Sequence, residues 1–157
     1  MSQASGDPAL TLSPDEAAAV AEAAAAFAGA LPPGRGEPYH GLAAAAQAGA
    51  VPAEHVAALE RVCTLALETG KARQIGRAEA ERLLSAVLRR TGRGRALAEE
   101  ADGVNRALGQ LAGRQLEAAR LNWRMPGHYE LSLSVSGFAL TLAIGPDGVR
   151  VRSLNAG

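Results

Sequence analysis

Between Arg120 and Arg152 apolar and polar residues alternate one for one. Leu121, Trp123 and Met125 alternate with Arg120, Asn122 and Arg124, and Tyr129, Leu131, Leu133 and Val135 with Glu130, Ser132, Ser134 and Ser136. Phe138, Leu140, Leu142 and Ile144 then alternate with Ala139, Thr141 and Ala143, and Val149 and Val151 with Arg150 and Arg152. A period of two places alternate side chains on opposite faces of a strand. Pro126-Gly127, Ser136-Gly137 and Gly145-Pro146-Asp147-Gly148 stand where the chain must reverse. The pattern predicts a four-stranded antiparallel meander with one apolar face and one face of small polar residues. The apolar face needs a cover, for which the preceding helix and a second copy of the chain are the two candidates.

Upstream the period lengthens to that of a helix. Ser13-Pro14-Asp15-Glu16 reads as a capping box with proline at the first helical position. Val20, Ala24, Phe27 and Leu31 follow at helical spacing, and Pro32-Pro33-Gly34 ends the run. A short Ala-rich helix is expected over 41–48. Pro52 opens the next, with Val56, Leu59, Val62, Cys63 and Ala66 as its buried stripe, and a fourth carries Ala80, Leu83, Leu84, Val87 and Leu88 from a start at Lys71 or after Gly76. A fifth is expected from Arg95, with Glu99, Glu100 and Asp102 in an acidic first turn that suits the helix dipole. Leu97, Ala101, Val104, Leu108 and Leu111 give it a heptad-like seam, and Gly103, Gly109 and Gly113 in and after it imply close packing or a break. The fold class is therefore α+β: a helical region of about five helices over 13–117, then the meander over 118–157 packed on the last helix. Residues 1–12, without periodicity, read as a disordered lead. The two regions are expected to form one compact domain.

With 16 basic and 16 acidic residues the formal charge is zero, so no surface-wide affinity for nucleic acid or anionic membrane is built in. Aromatics are only 3% of the chain, and Ala supplies much of the 48% hydrophobic content. Lys71 is the sole lysine; Arg in such excess beside abundant Ala and Gly reflects a GC-rich coding bias before any functional choice. Cys63 is alone, which excludes an intramolecular disulfide and fits a reducing compartment. The Ala-rich run before Leu31 lacks a basic leader and is too short to span a bilayer. The expected location is the cytoplasm, with no membrane association.

The local charge excess lies over 71–95, where Lys71, Arg73, Arg77, Arg82, Arg89, Arg90, Arg93 and Arg95 face only Glu79 and Glu81. Such a segment can neutralise phosphates without reading sequence; the plainer alternative is a solvated helix face paired with downstream acids. A helix-turn-helix around 72–76 is disfavoured, because Glu79, Glu81 and Arg82 occupy positions where the second helix needs apolar support. His40, His55 and His128 lie in no metal-ligand spacing, and Cys63 belongs to the apolar stripe of its helix. No phosphate-binding Gly-rich loop and no GxSxG elbow occur. No catalytic, cofactor or metal site is expected.

The first functional expectation is a non-enzymatic, self-associating interaction module using Leu97, Val104, Leu108 and Leu111, with a homo-oligomer or another protein as partner. The second is a nucleic-acid-binding accessory protein using Arg73, Arg77, Arg89, Arg90, Arg93 and Arg95. A small enzyme with an unrecognised site is the third.

Overall fold

The capping box at Ser13 forms as its spacing requires. Ser13 Oγ accepts the Glu16 N–H at 3.3 Å, and Glu16 Oε2 accepts the Ser13 N–H at 2.9 Å. From it runs α1 (Pro14–Gly29). The computed structural model describes residues 10–156, without the side chains of 75–77. The disordered lead expected over 1–12 lies outside the described residues as far as residue 9. Leu10–Thr11 form a short strand, β1, and Leu12 is buried.

Next come α2 (Glu37–Gln47), β2 (Ala50–Val51), α3 (Ala53–Glu68) and α4 (Lys71–Arg89). The second helix starts four residues earlier than its Ala run suggested, and Tyr39 in its first turn stacks edge-on against Phe27 at 4.6 Å. The fourth is continuous from Lys71 through Gly76 to Arg89, so no inter-helix turn exists where a helix-turn-helix would need one. Strands β1 and β2 pair antiparallel, Leu10 with Val51.

By its contacts the chain divides into two compact units, the second beginning at Arg95. The first has a core of small side chains: Ala17, Ala21, Ala23, Ala24 and Ala28 of α1 are buried beside Leu42, Leu59, Val62, Leu84 and Val87. Ala covers little area, but it lets helices approach closely and loses no rotamer freedom on burial. The dense packing of α1 on α2 follows from that choice.

The fifth helix, α5 (Gly92–Gly109), starts three residues before its expected origin. Thr91 supplies the reason. Its buried hydroxyl donates to the Leu88 carbonyl at 2.8 Å and accepts the Gly94 N–H at 3.2 Å, so it closes α4 and caps α5 together. Glu60 Oε1 accepts the Arg93 N–H at 2.9 Å. The earlier start moves Glu99, Glu100 and Asp102 out of the first turn, which contains no acid; the dipole explanation for them fails.

The second unit holds the rest of α5 and a sheet of order β3-β4-β5-β6: β3 (Leu116–Met125), β4 (His128–Val135), β5 (Phe138–Gly145) and β6 (Gly148–Ala156). All neighbours are antiparallel, so the architecture is α+β with the meander at its end. The register aligns Leu121, Leu131, Leu142 and Val151 in one cross-strand row, and Arg120, Ser132, Thr141 and Ser153 in the adjacent one. Successive rows face opposite sides, which yields the apolar and the small-polar face. Val104 and Ala107 of α5, with Leu111 just beyond it, pack on Leu131, Leu133, Leu140, Leu142, Val149 and Leu154. Arg114 fastens the link between helix and sheet: it donates to the carbonyls of Gln110 and Ser136, each at 3.1 Å, and its guanidinium lies 4.1 Å from the Phe138 ring centroid.

Candidate interaction surface

The cover that α5 provides is partial. It buries Leu140 and Leu142 of β5 and rests on the apolar residues of β4 and β6, whereas the apolar row of β3 lies bare. Leu121 is 59% exposed, Trp123 66% and Met125 56%; Leu116 is exposed to a similar degree, and Tyr129 of β4 stands open beside Trp123. Local sequence explains why these residues still form a strand: β3 is held by β4 through pairs from Leu116↔Val135 to Met125↔His128. Alternation at its edge therefore serves pairing, without burial.

An apolar row this wide is unusual on a lone surface. Trp123 alone exposes on the order of 150 Å², and contiguous patches of a few hundred square ångströms mark contact sites. Leu121, Trp123 and Met125 were expected on the apolar face; Leu121 and Trp123 lie there, but a bulge after Trp123 pairs Met125 with His128 and turns it to the other face. That the preceding helix leaves the row bare is not legible from alternation.

The seam residues of α5 are largely spent within the fold. Val104 is buried in the sheet contact, Leu111 is half-buried there, and Leu97 is half-buried near Gly148. Leu108 is 38% exposed. Neither the close packing nor the break expected at the glycines is found at Gly103, where α5 is continuous and a Cβ would meet only the end of Arg106; a Cβ at Gly109 or Gly113 would meet nothing within 4 Å.

Of the basic residues over 71–95, several are engaged. Arg73 pairs with Glu81, and Arg82 Nη2 lies 2.5 Å from Glu79 Oε1. Each of these carboxyls sits below its ordinary range, held there by the guanidinium's hydrogen bond against desolvation, and further by its charge. Arg90 donates to the Thr11 carbonyl at 2.9 Å and to Glu16 at 2.7 Å, strapping β1 and α1 to the end of α4. Arg89, Arg93 and Arg95 are exposed, and no ion pair to them occurs among the described residues. The Arg77 side chain lies outside the described residues.

At the end of the sheet a cavity of about 290 Å³ is lined by Arg124, His128, Glu130, Asp147, Arg150 and Arg152, among others. Glu130 pairs with two of its cations: Arg152 Nη1 is 3.1 Å from Glu130 Oε2 and Arg124 Nε 3.9 Å. His128 is half-buried against Gly145, where an added Cβ would meet its Nδ1 at 3.0 Å. Cys63 is buried in the first unit, and burial, then the Glu60 charge, pushes its thiol up to about 12. A thiol so placed is neutral near pH 7 and a poor nucleophile. Among the described residues no three His, Cys, Asp or Glu side chains cluster as a metal site would need, and no helix is long and apolar enough to cross a membrane. No protein-family model, no characterised protein and no solved structure matches this chain.

Proposed function

We propose that the chain is a non-enzymatic, self-associating interaction module whose contact surface is the bare apolar row of β3. The exposure of Leu121 and Trp123 on one face of an edge strand carries this reading. Covering them removes apolar area from water at about 25 cal/mol per Å², and the row supplies the apolar centre of an interface whose usual size is about 800 Å² per partner. Val104 and Leu111 are already used against the sheet and Leu97 is half-buried, so the self-association expected of Leu97, Val104, Leu108 and Leu111 moves to β3, with Leu108 and the small Ala101 as the seam residues left open. Light scattering on the purified chain at tens of micromolar tests the reading, with and without short duplex DNA at two salt concentrations. The expected result is a discrete oligomer indifferent to DNA. A strict monomer that gains mass on DNA at low salt only would overturn it and assign the contact to Arg89, Arg93 and Arg95.

A further inference from the structure

Strand β3 pairs with β4 on one side and with no strand on the other among the described residues. Its free edge offers unpaired N–H and C=O groups directly beside the exposed apolar row, which is the combination that templates strand addition. The other edge, β6, is less suited. Val149 and Leu154 of β6 are engaged under α5, and a bulge opposite Thr141 and Leu142 interrupts its middle. Bulges twist an edge away from a partner. In β3 the irregularities lie at Leu116/Ala118 and Trp123/Met125, leaving 118–123 in unbroken register.

We infer that two copies join edge to edge through β3, antiparallel about a two-fold axis at Leu121, so that one sheet runs through both copies. The inference rests on the self-association proposed for this face and names its geometry. Residue chemistry selects both the occupant and the register. Residues directly opposite in an antiparallel pair point to the same side, so the two apolar rows merge only when the numbers of opposed residues have an even sum. With Leu121 opposite Leu121, Trp123 of each copy meets Ala119 of the other, the largest side chain against one of the smallest. Arg120 meets Asn122, so no like charges stand opposed within 118–123. A slip by two residues in one direction carries the pairing into the bulge after Trp123, and in the other sets Arg120 against itself, a destabilising cross-strand pair. The strand is thus complementary to its own sequence in the register that merges the apolar rows.

The test is the disulfide yield of Leu121→Cys under mild oxidation, beside light scattering of the same protein. Opposed Cα atoms in an antiparallel pair are about 4.5–5.5 Å apart, within disulfide reach. Arg124→Cys is the control, since its own copy would lie about 20 Å away along the strand. The expected result is a dimer that cross-links several-fold more at 121 than at 124. Mixed Arg120→Cys and Asn122→Cys chains should cross-link as a pair, a second route should the Leu121 variant fold poorly. A dimer that shows neither cross-link overturns the edge arrangement and leaves self-association through the face standing. A monomer at tens of micromolar overturns both, and assigns the edge to a strand of a different protein.

Discussion

A methyl group added at Gly94 would lie 1.9 Å from the Leu88 carbonyl oxygen and 2.6 Å from the Arg89 Cα, both backbone atoms that cannot swing aside. The turn that lets Thr91 serve two helices closes only around a hydrogen at this position. Gly94→Ala is expected to destabilise by about 3 kcal/mol, the upper part of the usual overpacking range, read as a lowered urea midpoint. Gly103→Ala supplies the contrast: its neighbour is a flexible Arg106 end at 3.7 Å, and the change should be neutral or stabilise by up to about 1 kcal/mol. At Cys63 the prediction concerns pH. Its folded value near 12 lies above the ordinary thiol value, so the unfolded chain loses this proton first. The group's contribution is fully present below about pH 8.5, declines as pH rises, and is gone once pH passes 12. Cys63→Val should show a shallower loss of stability over that alkaline window, measured by denaturant unfolding at stepped pH.

The same residues explain how far the elements were legible in sequence. The start of α1 was readable because a capping box is local: Ser13 and Glu16 satisfy each other within one turn. The start of α5 was not, because Thr91 resembles any residue after a helix until its hydroxyl is seen to bridge Leu88 and Gly94. Strand alternation gave the rows of the meander except at Met125, which the bulge after Trp123 turns to the side of His128. Strand β3 begins at Leu116, four residues before its alternation becomes clean, because pairing with Val135 and Ser134 continues across a bulge. Thr91→Ala is therefore expected to cost about 1–2 kcal/mol, the range for losing a helix cap. Thr91→Ser should restore most of that loss, because it keeps the hydroxyl. Thermal denaturation of the two variants beside the parent decides the matter, and equal losses for Ser and Ala would make the threonine methyl, buried with the rest of the side chain, the stabilising group.

At the scale of the whole molecule, periodicity reveals that a face is apolar but carries no measure of how wide its cover is. The seam of α5 matches the width of three strands, through Val104, Ala107 and Leu111, and the fourth strand is left over. Electrostatics likewise needed the folded chain: sequence offered downstream acids as partners for the basic segment, while Glu81, Glu79 and Glu16 occupy Arg73, Arg82 and Arg90. These two facts make opposite predictions about salt, and that difference separates the readings. Association through Leu121 and Trp123 buries apolar surface, so it should persist when salt is raised and carry a negative heat-capacity change. Binding to phosphates through Arg89, Arg93 and Arg95 should weaken with a log–log slope set by the number of phosphates neutralised. Trp123→Ser removes the largest exposed apolar side chain without opening a cavity in the core, so the variant should unfold near the parent's midpoint. Its dimer, followed by sedimentation equilibrium, should dissociate at least ten-fold more readily, which corresponds to about 1.4 kcal/mol. Unchanged association in that variant, or association abolished by moderate salt, would take the contact away from β3.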